Sequence, residues 1–211
     1  MMRKDLKQYA AISRGAPKGR MEDARDESLD VAVVQPANLG PLGIVGELTV
    51  TTVAKFKLET YQLQLGDVLV SLLDPPDAPL RVGLVTSDSL GKSLSVIGRY
   101  GARALVAGAN VAVVRLRTQQ LNPYYLALYL RSQDAALQLR VARGGSAQSY
   151  LNIVALGKVK IPVPPLEEQW RAADLHDSYE RYALETQRLL SAERQLMEAR
   201  FDQWVGATAH G

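Results

Sequence analysis

The stretch Ile161-Pro162-Val163-Pro164-Pro165-Leu166-Glu167-Glu168-Gln169 divides this chain into two parts of different patterning. Three prolines within four positions fix φ and remove backbone donors, so neither a helix nor a central strand continues through them and the chain runs extended. Before the prolines the apolar residues come in short runs bounded by Gly, Pro, Asn and Asp; after them they recur at helical spacing.

Downstream, Leu175, Tyr182, Leu189 and Leu196 repeat every seven residues, and Ala183, Leu190, Met197 and Trp204 repeat beside them. The two rows, with Tyr179 between them and Glu180, Arg181, Glu185 and Arg188 opposite, predict one helix from about Leu166 to Trp204 with a broad apolar stripe. Such a helix is about 58 Å long, more than the width of a small domain, so it either projects or packs against another long helix, with a surface helix folded back on its own domain as the alternative. Leu175, Tyr179, Tyr182, Leu189, Leu196 and Met197 are the candidate contacts for that partner.

Upstream, Val31–Val34, Asp67–Ser71, Arg81–Val85, Ser93–Ile97 and Asn110–Val114 read as strands. Asn122-Pro123 is a good helix start, an N-cap followed by proline in the first turn. Leu126, Tyr129, Leu130 and Leu137 then share a face as far as Gly144-Gly145, which predicts a single helix over that span. The expected fold is α+β: a mixed α/β domain over residues 1–162, then a proline-rich connector and a long coiled-coil-forming helix over 163–211.

A chain of 211 residues, 47% hydrophobic and 22% charged, suits one globular domain plus an extension, or two small domains, and is not that of a disordered protein. The absence of cysteine excludes a disulfide framework and a thiolate zinc site, and His176 and His210 are too few and too distant for a histidine cluster. No metal is expected. Met1 to Asp30 carries charge on both sides of its few apolar residues, and no apolar run approaches the roughly 18 residues of a spanning helix, so neither a signal peptide nor a membrane anchor is expected and the cytoplasm is the expected location.

The net charge of +3 is small, and its distribution says more. From Gly98 to Lys160 nine bases face the single acid Asp134, a local charge of +8; from Leu166 to Trp204 nine acids outweigh five bases, a local charge of −4. A basic block before a mildly acidic helix suggests that the globular part meets a polyanion and the helix meets protein. On charge alone, arginines scattered over several solvated faces remain the alternative.

Three catalytic motifs fail on inspection. Gly91-Lys92-Ser93 lacks the upstream glycine of a phosphate-binding loop, where Thr86 stands. Asn122-Pro123-Tyr124-Tyr125 has Tyr124 where an amino-methyltransferase signature has its second proline, and no glycine-rich cofactor loop follows an upstream strand. Asp74, Asp77 and Asp88 could suggest a metal-dependent nuclease, but Asp74-Pro75-Pro76-Asp77 reads as a turn and no Glu-x-Lys accompanies it.

The segment from Gly144 to Gln169 carries a family resemblance. Gly145-Ser146-Ala147-Gln148, then Leu151, Leu156 and the stretch Ile161 to Gln169, resemble the end of a target recognition domain in the specificity subunits of type I restriction-modification systems, where a Gly-Ser-x-Gln turn leads to a strand, a proline-rich connector and a Glu-Gln pair opening a spacer helix. Leu65-Gly66-Asp67-Val68-Leu69-Val70-Ser71 looks like the family's Gly-Asp strand element, and Leu121 to Leu126 with Tyr129-Leu130-Arg131-Ser132 looks like its central helix. Family members usually carry two recognition domains and two antiparallel helices, and this sequence contains one such unit.

The resemblance implies a half-size, non-catalytic subunit that reads double-stranded DNA, needs no cofactor of its own, and holds a modification methyltransferase subunit and through it a restriction subunit. A homodimer through the C-terminal helix would restore the pseudo-twofold arrangement and bring a bipartite site within reach. The candidate DNA contacts are Arg99, Tyr100, Arg103, Arg143, Ser146 and Gln148, with Lys18, Arg20 and Lys92 as further phosphate contacts. Ser146 and Gln148 could instead cap their own turn, and Tyr100 could fill the core edge. Two other readings stay open: the recognition subunit of another methylation or defence system, and a self-contained DNA-modifying enzyme.

Overall fold

In a computed structural model, residues 3–17, 28–41, 43–73, 80–87, 90, 104–142 and 150–208 are described. The chain divides into two compact units, Met1–Ala173 and Asp174–Gly211. The strands are β1 Arg3–Asp5, β2 Ala10–Arg14, β3 Ser28–Val34, β4 Leu39–Gly40, β5 Gly43–Ile44, β6 Thr49–Ala54, β7 Val68–Ser71, β8 Val82–Leu84, β9 Ala104–Ala107, β10 Val111–Leu116 and β11 Lys160–Pro162. The helices are α1 Lys55–Tyr61, α2 Pro123–Arg131, α3 Gln133–Ala142, α4 Ile153–Gly157 and α5 Leu166–Thr208.

The first unit is built around a four-stranded antiparallel sheet in the order β2-β10-β7-β8. Its central strands are covered on both faces. Val68, Val70, Ala112 and Val114 join one apolar cluster with Leu126 and Leu130 of α2, while Leu69, Val111 and Val113 point into a second with Ala32, Val34 and Leu105. This two-sided burial explains why β7 and β10 read as continuous apolar runs rather than alternating ones. The second cluster is closed by a sheet of order β6-β3-β9, in which β3 runs antiparallel to β6 and parallel to β9. Strands β2, β6 and β9 were not legible as strands in the sequence, and the run Ser93–Ile97 lies outside the described residues.

The helix expected from Asn122 to Gly144 is in fact two. Asn122 caps α2 as its type predicts, with its side-chain oxygen accepting from the Tyr124 amide at 2.8 Å. The helix then breaks at Ser132, whose ψ of 156° is extended. The Ser132 hydroxyl accepts from the Ala135 amide at 3.3 Å, so a serine inside the expected helix serves as the cap of the next one. The break changes which face is buried: Ala135 and Leu139 enter the core and Leu137 is exposed. The strand expected soon after Gly145-Ser146-Ala147-Gln148 is likewise preceded by the short helix α4, capped by Asn152, and arrives only at β11.

Among the described residues strand β11 pairs antiparallel with β1 alone, Arg3 opposite Pro162 and Asp5 opposite Lys160, so the donor-less proline ends a two-stranded ribbon. A polar knot ties this ribbon to the helices. The Tyr129 hydroxyl lies 2.6 Å from Asp134 Oδ2 and 2.8 Å from the Lys160 carbonyl, and accepts from Gln138 Nε2 at 2.9 Å. Arg3 donates to Asp134 at 2.8 Å, and Gln138 Oε1 accepts from the Lys160 amide at 2.8 Å. The hydroxyl bond from Tyr129, aided by Arg3, holds the Asp134 carboxyl below its usual range. A carboxyl depressed in the folded state stabilises above its unfolded value, near 3.9, and that contribution is lost as pH falls through the folded one. Urea unfolding across roughly pH 3 to 6 is expected to show a shallower loss of stability toward acid in Asp134→Asn than in the wild type; parallel curves would mean that the Asp134 carboxylate contributes nothing to the knot.

Candidate nucleic-acid interface

The loop that leads into β7 is held by an ion pair whose carboxylate is buried. Gly66 takes a φ of +86°, a backbone conformation that favours glycine, and turns the chain into Asp67, which is 1% exposed. Asp67 Oδ1 accepts from Arg115 Nε at 2.8 Å, and Oδ2 accepts from Arg115 Nη2 and from the Gln64 amide, both at 2.7 Å. Arg115 Nη2 also reaches the Gln62 carbonyl at 3.0 Å. The hydrogen bonds that Arg115 donates to Asp67 push the guanidinium pKa above its usual value.

Arg115 therefore forms a wall rather than a free contact, and the same holds for Arg131, which donates to the carbonyls of Val82 at 2.7 Å and Gly40 at 3.1 Å. Two of the nine bases in the block from Gly98 to Lys160 thus hold the fold together. Their guanidinium groups bond to the protein itself, which net charge could not distinguish.

Beside the Asp67–Arg115 pair is a shallow cleft of about 70 Å³, bounded by β2, the end of α1 and β10. Arg14 stands at its rim, exposed, with its guanidinium 4.6 Å from the centre of the Tyr150 ring. Tyr150 directly follows the Gly144 to Ser149 segment in the chain. The candidates Arg99, Tyr100, Arg103, Arg143, Ser146, Gln148, Lys18, Arg20 and Lys92 all lie outside the described residues. Among the described residues no group of three acidic, histidine or cysteine side chains could hold a metal ion.

The start of α5 is locked into the first unit by the glutamine of the Glu-Gln pair. Gln169 is fully buried. Its Oε1 accepts from the Asn122 amide at 2.8 Å, and its Nε2 donates to the carbonyls of Pro164 at 2.7 Å and Gln120 at 2.9 Å. Trp170 lies beside Tyr124, ring centres 6.0 Å apart. The glutamine was visible as half of a Glu-Gln pair; its distant partners, Asn122 and Gln120, 47 and 49 residues upstream, were not.

In the second unit the apolar stripe of α5 lies open. Leu175, Tyr179, Tyr182, Leu189, Leu190, Leu196, Met197 and Trp204 are all more than half exposed. The polar side chains of the same helix pair along it at i,i+4, as in Arg181 with Asp177 and Arg194 with Glu198. No helix among the described residues is long and apolar enough to cross a membrane, so the stripe is not a spanning segment.

The fold first defines a class: a mixed α/β domain followed by a long helix with an exposed apolar face. Within that class the family model for the type I restriction modification DNA specificity domain matches residues 85–194, more than half of the sequence, and the chain belongs to that family. A Methanocaldococcus jannaschii protein named "Putative type I restriction enzyme MjaX specificity subunit" is 27% identical over 167 residues, covering 79% of this chain and 33% of its own length. The chain thus spans about a third of that relative. A solved structure of the type I R-M system contains a chain with a TM-score of 0.54 at 19% identity, over 88% of this chain and 40% of that one. The type I restriction-modification S subunit from M. genitalium gives 0.51 at 10% identity, over 90% and 41%. At these identities the two structures show the shared fold.

Proposed function

We propose that this chain is a sequence-specific DNA recognition subunit of a type I restriction-modification system, which directs a partner methyltransferase, and through it a nuclease, to a bipartite site. The observation that carries the reading is the family match over residues 85–194, which runs from the domain into the helix. The role is recognition rather than catalysis, in the cytoplasm, and the reactive cofactor belongs to the methyltransferase. Arginines and lysines place the domain on phosphates, and a few polar side chains read base edges. In this role Arg99, Arg103, Arg143, Lys18, Arg20 and Lys92 meet the backbone, while Tyr100, Ser146 and Gln148 lie nearest the bases. The open stripe of α5 supports a second element of the reading: antiparallel pairing with the same helix of another copy, supplying the second half-site.

Electrophoretic shift assays on the purified chain, alone and with its methyltransferase, test the DNA assignment. Affinity is expected to fall steeply with salt and to sharpen for one sequence when the partner is present. Arg99→Ala with Arg143→Ala lowers binding to all duplexes, whereas Gln148→Ala costs about 1–3 kcal/mol mainly on the cognate site. Binding insensitive to salt, or unchanged by the arginine substitutions in the full complex, would remove this surface from the proposal.

A further inference from the structure

The stripe of α5 is not apolar throughout. Between the row Leu175, Tyr182, Leu189, Leu196 and the row Ala183, Leu190, Met197, Trp204 lies a third at the same seven-residue interval: Tyr179, Thr186, Glu193 and Arg200. Residues four apart share a helix face, so this row runs along the middle of the stripe. A charged residue in the middle of a seam constrains which alignments of two helices are tolerable.

We propose that this middle row sets the register in which α5 pairs with a second copy of the chain, antiparallel, with the two-fold axis between Leu189 and Leu190. The proposal rests on the helix pairing advanced above and adds its register. A parallel, in-register pair sets Glu193 against its own copy and Arg200 against its own copy, like charges facing each other inside the seam. The antiparallel pair about Leu189 and Leu190 removes both conflicts. Arg200 then meets the ring of Tyr179 on the other helix, a cation–π arrangement, and Glu193 meets the short side chain of Thr186. Along the outer rows Leu189 and Leu190 each meet their own copies, Tyr182 meets Leu196, and Ala183 meets Met197.

The exposed apolar positions are also symmetric about this midpoint. Leu175 and Trp204 lie equally far from it, as do Tyr182 and Met197, so the whole stripe is used. Other registers that keep the rows aligned fare worse. Moving the axis to Glu193 sets that carboxylate against its copy. Moving it to Leu196 and Met197 pairs Glu193 with Arg200 but leaves Leu175, Tyr179 and Tyr182 with no facing position on the described helix, Leu166–Thr208. Moving it to Thr186 drives Trp204 toward the turn containing Gln169, which is buried.

Because the chain has no cysteine, the axis can be located with single-cysteine variants of the full chain. A residue on the axis meets its own copy within disulfide reach, whereas Glu193 and its copy would stand about 10 Å apart along the helix in the proposed register. Leu189→Cys, Leu190→Cys, Glu193→Cys and Met197→Cys are oxidised in parallel and run on non-reducing gels beside light scattering of each reduced protein. Cross-linking is expected to be about tenfold greater at 189 and 190 than at 193 and 197, and a mixture of Tyr182→Cys with Leu196→Cys should cross-link where neither does alone. Dimers that cross-link best at 193 or 197, equally at all four positions, or at none overturn the register while leaving the pairing intact. Monomeric wild-type protein overturns both.

Discussion

Arg115→Met is expected to lower the unfolding free energy by about 3 kcal/mol, the lower end of what breaking a buried ion pair costs. The substitution leaves the carboxylate of Asp67, 1% exposed, with the Gln64 amide as its remaining donor. The side chain of Arg115 is itself 37% exposed, so water can reach part of the vacated space and the effect stays below the extreme for a fully enclosed pair. Arg115→Lys should recover only part of the loss, because an ammonium cannot reproduce the two parallel bonds from Nε and Nη2. Asp67→Asn removes the charge that needs a partner and keeps an acceptor for the backbone, so it should cost less than Arg115→Met. Equilibrium urea unfolding of the four proteins gives the order directly. A methionine variant within about 0.5 kcal/mol of the wild type, the range of ordinary surface substitutions, would contradict a structural role for this pair.

The second large effect is expected in assembly. Changing Leu189 and Leu196 together to Asp places four carboxylates in the proposed seam of one dimer, each costing several kcal/mol if buried without a partner. Both side chains are exposed in the single chain, so the same change should leave the first unit intact and its thermal unfolding close to that of the wild type. Light scattering at tens of micromolar is expected to give dimers for the wild type and monomers for the variant. A monomeric wild type at that concentration would defeat the pairing, and an unchanged dimer in the variant would place the interface elsewhere.

Much of this molecule was legible because its signals are local. A helix with seven-residue periodicity needs no distant partner to declare itself, and the expected span of Leu166 to Trp204 falls within the observed helix Leu166–Thr208. Asn122-Pro123 likewise named its own position, since a cap acts on amides two and three residues away. The runs at Val31, Val68, Val82 and Val111 became strands because both faces of their sheets, or nearly so, are covered.

The sequence by itself determined the helix with its two apolar rows, the α+β class and the family. Only the tertiary structure decided that Ser132 ends one helix and caps another, that Arg115 and Arg131 are spent on the fold, and that Gln169 anchors the first turn of α5. The reason is separation along the chain. A local pattern acts through neighbours within a turn or two, whereas Asp67 and Arg115 are 48 residues apart and Asn122 and Gln169 are 47 apart, and neither member of either pair carries a mark that names the other. A buried polar group must find a partner, but which partner it finds is settled by how the elements pack.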